Sequence, residues 1–255
     1  MTDDLNSKNR FSSRVENYLK YRPKYPKEVI SFLKKNEILS NSSVIADIGS
    51  GTGILSELFL KNGNKVYGVE PNNEMRLAAE RLLESYSNFM SIDGSAEYTG
   101  LKKSSIDLII AGQAFHWFDQ EKAKKEFLNI LKPEGHVILI WNRRKKTGSE
   151  FLVDYENLLL TYGVEYNKIH NIKLNFNEFY GSERVFKRVL FENYQELDYP
   201  GLEGRVLSSS YAPLKDHPNH EAMIRTLKQI FQHYQHKNKV LLEYETEVYY
   251  GQLTE

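Results

Sequence analysis

A chain of 255 residues without a cysteine excludes disulfides, thiolate metal sites and thiol nucleophiles together. Its 34 basic and 34 acidic residues cancel, so no net charge favours a nucleic-acid duplex, and no apolar run is long enough to span a bilayer. The length suits one α/β unit with a lid, and a polar N-terminus without an apolar signal core leads us to expect a cytoplasmic protein.

In chain order, residues 11–25 alternate aromatic and basic side chains up to Pro23 and Pro26. Tyr18, Tyr21, Arg22 and Tyr25 suit either a packed arm over one end of a sheet or a lid over a pocket. A helix is expected over 28–33. The run Val44-Ile45-Ala46-Asp47-Ile48-Gly49-Ser50-Gly51-Thr52-Gly53 then reads as strand and tight turn, opening into a helix over 54–60. Alternate glycines let a ligand lie against bare backbone amides at a helix mouth. A dinucleotide fingerprint would be G-x-G-x-x-G, whereas this loop is G-x-G-x-G with Asp47 two residues ahead. A carboxylate there would repel a pyrophosphate but attract a cofactor carrying an ammonium and a sulfonium, which favours S-adenosylmethionine.

Strands over 65–70, 89–93, 106–111 and 136–141 alternate with helices over 73–85 and 121–131, the second stopped by Pro133. Such alternation predicts a parallel sheet with helices on both faces and ligands beyond the carboxyl ends of its strands. Glu70 closes the second strand 19 positions after Gly51, where an acid can accept hydrogen bonds from both ribose hydroxyls. Gly94-Ser95-Ala96-Glu97 would approach an adenine, with Ser95 or Asp93 as the polar contact. Gln113-Ala114-Phe115-His116-Trp117-Phe118-Asp119 brings four aromatic rings to the same cleft, and His116 is its one obvious proton acceptor or else a packed histidine.

Beyond Arg144 the pattern predicts a helix over 149–162, a polar aromatic linker through Tyr180 and a strand near 185–191. A short helix and turn over 201–211, a helix over 220–235 and a strand over 240–250 with one wet face complete the chain. His233 and His236 read as a solvated face, and no metal site is expected.

Asp47-Ile48-Gly49-Ser50-Gly51-Thr52-Gly53, Gly68-Val69-Glu70-Pro71, Gly94-Ser95-Ala96-Glu97 and the 113–118 loop, in that order, resemble class I S-adenosylmethionine-dependent methyltransferases. Tyr18-Leu19-Lys20-Tyr21-Arg22-Pro23-Lys24-Tyr25-Pro26 and His116-Trp117-Phe118-Asp119 are similar to the small-molecule branch that includes trans-aconitate methyltransferase-like proteins. The resemblance implies a doubly wound, mostly parallel seven-stranded sheet in the order 3-2-1-4-5-7-6, its last strand antiparallel. It implies a single domain with an arm or lid over 1–35, a cofactor half over 40–145 and a substrate-side half over 146–255.

Residue by residue, the resemblance places Asp47, Gly49, Gly51 and Gly53 at the methionine part of the cofactor, and Glu70 and Pro71 at the ribose. Ser95, Ala96 and Glu97 fall near adenine with Gln113 at its amino group, and Arg22 at the cofactor carboxylate; Ser95 departs from the aspartate often found there. On the acceptor side stand Tyr18, Tyr21, Trp117, Arg143, Arg205 and Tyr211. His116 would be the catalytic base for a phenol or amine, whereas a carboxylate acceptor needs none and Arg22, Arg143 or Arg205 would clamp it. The expected partner is a small molecule, not nucleic acid or membrane. The competing readings are a non-catalytic S-adenosylmethionine-binding protein and a nucleotide-dependent oxidoreductase.

Overall fold

The computed structural model describes residues 20–166, 175–181 and 186–254. Its strands are β1 (Val44–Ile48), β2 (Lys65–Val69), β3 (Phe89–Ile92), β4 (Ile106–Gly112), β5 (Leu131–Arg144), β6 (Phe186–Leu197) and β7 (Val240–Gly251). Its helices are α1 (Glu28–Lys35), α2 (Ile54–Lys61), α3 (Asn73–Leu82), α4 (Gln120–Ile130), α5 (Glu150–Tyr162), α6 (Phe176–Tyr180), α7 (Tyr199–Leu207) and α8 (His220–Tyr234). The strands form one sheet in the order β3-β2-β1-β4-β5-β7-β6, as the resemblance implies. β1 to β5 are parallel, and β7 runs antiparallel between β5 and β6.

Inside the sheet, between β2 and β4, lies β1, where Ile45, Ala46, Asp47 and Ile48 have no exposed surface. A strand covered on both faces is apolar throughout, so one carboxylate in that run needs a reason. α1 and α2 cover one face, packing Val29, Leu33, Leu55 and Phe59 with Ile45, Leu108, Ile138 and Val248. α4 and α6 cover the other, where Phe127, Phe179 and Tyr180 meet Ala46, Ile109 and Leu139. A third cluster joins α5, α7 and α8 to the start of β7 through Leu159, Leu202, Leu227 and Leu242. Helix starts are fixed by side-chain caps: Asn72 accepts the Met75 N–H, Asp119 that of Lys122, Ser149 that of Leu152 and Asp198 that of Gly201.

Pro133 does not itself end α4. The helix stops at Ile130, and Leu131, at φ −67° and ψ 142°, already opens β5. Proline drives the residue ahead of it out of the helical region, and its missing N–H falls between the Leu131–Ile106 and His136–Leu108 pairings, where the register slips. The stretch through Tyr180, expected as a polar linker, contains α6. Asn175 caps that helix, and Phe179 lies 4.5 Å from Phe115 between ring centres. β6 continues to Leu197 because β7 pairs with all of it; its outer half is polar, as befits an edge strand with a wet face. Tyr18 and Val185 lie outside the described residues.

Candidate active site

Gly49, Gly51 and Gly53 all have positive φ, at 67°, 55° and 82°. A methyl group on Gly49 would lie 2.7 Å from Ala114 Cβ and one on Gly53 2.6 Å from Leu83 Cδ1, whereas one on Gly51 would have no neighbour within 4 Å. The outer glycines thus let other parts of the chain approach, and Gly51 offers bare backbone to open space.

Two cavities meet at this loop and share Gly49, Gly51, Gly112 and Gln113. The larger, about 290 Å³, takes polar lining from Glu70, Asn72, Ser95 and Glu97 and apolar lining from Pro71, Met75, Ala96, Trp117 and Phe118. The smaller, about 40 Å³, is walled by Arg22, Tyr25, Asp47, Thr52, Leu55 and Asn142. Gly53 lines neither cavity.

Glu70 follows β2, and its backbone N–H donates to Ile92 O at 3.1 Å. Its carboxylate accepts the Gly51 N–H on Oε2 at 2.9 Å and the Asn72 N–H on Oε1 at 2.8 Å. Those bonds tie the glycine loop to the start of α3 and hold the acid, 9% exposed, at the wall of the larger cavity. A carboxylate offers about four lone-pair sites, the acceptor chemistry that a diol needs. Asp93, the other acid near the adenine position, turns instead to Arg76 at 3.2 Å and lines neither cavity.

Asp47 is fully buried. Ser56 donates its hydroxyl to Oδ2 at 2.6 Å, while Oδ1 has no hydrogen-bond partner among the described residues. Burial pushes its pKa from 3.8 up to about 7; the Ser56 bonds oppose the rise and the Glu70 charge adds to it. A buried acceptor left unmade costs roughly 1–3 kcal/mol, and a cationic donor entering the smaller cavity would recover it.

The arm forms the roof. Gln195 Nε2 donates to Tyr21 O at 3.1 Å, and Asn193 Nδ2 to Lys24 O at 2.8 Å. The Tyr21 ring lies against Gly204, where a Cβ would sit 2.1 Å from it, and Tyr25 OH sits against Gly112. Arg22 lines the smaller cavity and donates to Ser208 O at 2.9 Å.

His116, in the 3₁₀ turn Phe115–Trp117, is half-buried and lines neither cavity. Burial, then the Arg143 charge, lowers its pKa to about 4, so the ring is neutral at pH 7. Side chains alternate along β5. Trp141 meets Phe115 and Phe176, and Arg143 pairs with Glu247, which Arg188 also reaches. Asn142 points the other way, to the arm carbonyls of Pro23 and Lys24 at 3.4 Å. Arg143 and His116 therefore belong to the α6 side, while the smaller cavity opens on the arm side. Arg205 lies buried in α7, and Tyr211 four residues after α7 is held below its usual range: burial raises it, but Arg205, Ser209, Arg144 and Arg22 outweigh burial.

The larger cavity thus gathers Gly49, Gly51, Glu70, Pro71, Ser95, Ala96, Glu97, Gln113 and Trp117, and the smaller adds Arg22 and Asp47. Tyr21, His116, Arg143, Arg205 and Tyr211 line neither. Sequence reasoning passed over Leu55 and Met75 as lining residues, whereas Tyr25 falls in the expected lid, Thr52 in the expected loop and Asn142 at the carboxyl end of a strand.

A glycine loop between the first strand and its helix, with an acid closing the second strand, defines a nucleoside-cofactor fold of the Rossmann type. Residues 46–139 match the methyltransferase domain family. An uncharacterised methyltransferase-like protein of Schizosaccharomyces pombe is 31% identical over 138 residues, 54% of this chain and 53% of the relative. The chain therefore spans about half the length of the curated relatives it matches. A solved protein of Anaeromyxobacter dehalogenans, named as a type II methyltransferase, superposes with a TM-score of 0.67 at 17% identity, over 92% of this chain and 100% of that one. The Haemonchus contortus phosphoethanolamine N-methyltransferase 2, solved with S-adenosylhomocysteine, gives a TM-score of 0.54 at 13% identity, over 95% of this chain and 58% of that one. At such identities these structures speak for the fold. Residues 46–139 are thus similar to a methyltransferase domain, and the sheet around them has the methyltransferase fold.

Proposed function

We propose that the protein transfers a methyl group from S-adenosylmethionine to a small-molecule acceptor. One observation carries this reading: Glu70, fixed by the Gly51 and Asn72 amides, presents its carboxylate to the larger cavity beside the bare backbone of Gly51. The residues fit the cofactor. Glu70 would take the ribose hydroxyls and Ser95 and Ala96 the adenine edge; Asp47 Oδ1, buried without a donor, would take the ammonium and Arg22 the carboxylate. When bound, the cofactor supplies a methyl group on a sulfonium that is already a good leaving group.

The chain's own work is then to position and to exclude water. Arm residues 21–25 close one side of the loop, and Trp117 and Phe118 close the other. His116, neutral and outside both cavities, is left to packing, and Gln113 lines both cavities while Asn142 lines the smaller. Isothermal titration with S-adenosylhomocysteine tests the cofactor, and transfer of tritiated methyl to a panel of small carboxylates, phenols and amines tests the reaction. Absence of binding overturns the reading, and binding without transfer to any acceptor overturns its enzymatic part.

A further inference from the structure

β6 ends the sheet, and among the described residues no strand pairs with its outer side. Its pairing with β7 runs from Phe186–Gly251 to Leu197–Val240 without a shift, and the strand contains neither proline nor glycine. Short length, proline and bulges commonly protect a sheet edge, and β6 has none of the three. Its charges therefore decide what pairs with it. Which backbone groups are free follows from β7. The Lys145 N–H donates to Glu243 O at 2.9 Å across the β5–β7 register, so Glu243 and every second residue after it turn their backbone groups to β5. The residues between them turn to Lys187, Val189, Phe191, Asn193 and Gln195 of β6. The N–H and C=O groups of Arg188, Leu190, Glu192 and Tyr194 consequently point away from the sheet. Asn193 Oδ1 accepts the Tyr194 N–H at 2.9 Å, which leaves 188–192 as the stretch able to take another strand.

That stretch complements itself. Leu190 is 44% exposed, and Arg188 and Glu192 flank it on the same exposed face. Arg188 reaches Glu247 and, at 4.0 Å, Glu245. Glu192 lies directly opposite Glu245 in the register, where like charges oppose pairing, and among the described residues it makes no ion pair. A second β6 laid antiparallel with Leu190 against its own copy puts Arg188 opposite Glu192 on both sides of the axis, and half-buried Val189 opposite half-buried Phe191. Other registers lose this match. A slide of two residues sets Leu190 against a charge, and a slide of four sets Glu192 or Arg188 against itself. A slide of one turns free backbone groups onto groups that β7 already holds. We infer that the protein is a dimer in which the β6 strands of two copies pair antiparallel about a twofold axis at Leu190, joining the two sheets into one. Each Glu192 then gains the cation that its own chain does not give it.

The full chain has no cysteine, so a single introduced thiol reads the register. Sedimentation equilibrium of the wild type shows a monomer–dimer equilibrium. Under an oxidant Leu190→Cys becomes a disulfide-linked dimer about tenfold faster than Tyr194→Cys, because only position 190 meets its own copy, at the Cα separation of about 5.5 Å that a hydrogen-bonded pair has and a disulfide spans. Leu190→Pro removes an N–H that β7 does not use and gives a monomer with the circular dichroism of the wild type. Glu192→Arg sets arginines against each other on both sides of the axis and raises the dimer dissociation constant roughly tenfold. A wild type that stays monomeric up to about 1 mM overturns the inference and leaves this edge to an extended segment of another protein. Equal cross-linking of the two cysteine variants, or a dimer that Leu190→Pro and Glu192→Arg leave intact, also overturns it. If Leu190→Pro does not fold, the cysteine pair and Glu192→Arg decide.

Discussion

Replacing Asp47 by Asn tests the buried acid beneath the glycine loop from two directions. In the folded protein the carboxyl titrates at about 7 instead of 3.8, so the native state holds that proton more tightly than the unfolded chain does. Stability from this group is therefore fully present below pH 4, declines as pH rises towards 7, and is level above. The gap corresponds to about 4 kcal/mol between those limits. Urea denaturation of the wild type and Asp47→Asn at pH 4.5, 6 and 8 reads it as a difference, because contributions common to both proteins cancel. Relative to wild type the Asn variant gains stability with rising pH, by up to about 4 kcal/mol. The second direction is binding. An ammonium at Oδ1 favours the ionised acid, so wild type releases close to one proton on binding S-adenosylhomocysteine at pH 6, measured by calorimetry in buffers of different ionisation enthalpy. Asp47→Asn binds more weakly and releases none. A stability difference independent of pH, together with no proton release from wild type, would refute the reasoning.

Glu70→Gln keeps the size of the side chain and removes its charge, and should weaken S-adenosylhomocysteine roughly tenfold to a hundredfold by titration, since bonds to a charged acceptor contribute about 1.5–3 kcal/mol; an unchanged affinity removes Glu70 from the site. His116→Ala should leave methyl transfer within about tenfold of wild type, because a general base contributes 10²–10⁴ and this ring is neutral and outside both cavities; a thousandfold loss would restore it as the base. Gly204→Ala places a Cβ 2.1 Å from the Tyr21 ring, so limited proteolysis should cut the arm faster while the midpoint of urea unfolding drops by the equivalent of about 1–3 kcal/mol. Phe179→Ala should cost about 3–5 kcal/mol, because its ring contacts Phe115, Phe127 and Tyr180; a loss under 1 kcal/mol would mean that α6 is not part of the core.

The sheet was legible because its signals are local. Gly49 to Gly53 mark where β1 becomes α2, Glu70 closes β2, and the alternation of apolar runs with amphipathic ones predicts a parallel sheet, while the strand order is what the family resemblance implies. What was not legible depends on partners remote in sequence. Phe176 to Tyr180 look like a linker until Phe115 and Phe186 supply apolar neighbours. Tyr21 meets Gly204 and Gln195 across most of the chain, which no window of residues shows. The direction of His116 follows from Arg143 lying on the Trp141 side of β5, which requires the strand to run on to Arg144, whereas the sequence pattern ended it at Trp141. In the same way Arg205 is one more basic residue in the sequence, and its burial against Tyr244 exists only once α7 has packed.

The most direct measurement is a crystal structure of the protein grown with S-adenosylhomocysteine. The adenosyl group should fill the cavity of about 290 Å³ with its ribose on Glu70, its methionine end over Gly51 and its amino group within hydrogen-bond distance of Asp47 Oδ1. Density for the ligand elsewhere on the protein, or a bound ribose that leaves Glu70 untouched, would contradict a methyl donor site built on this loop.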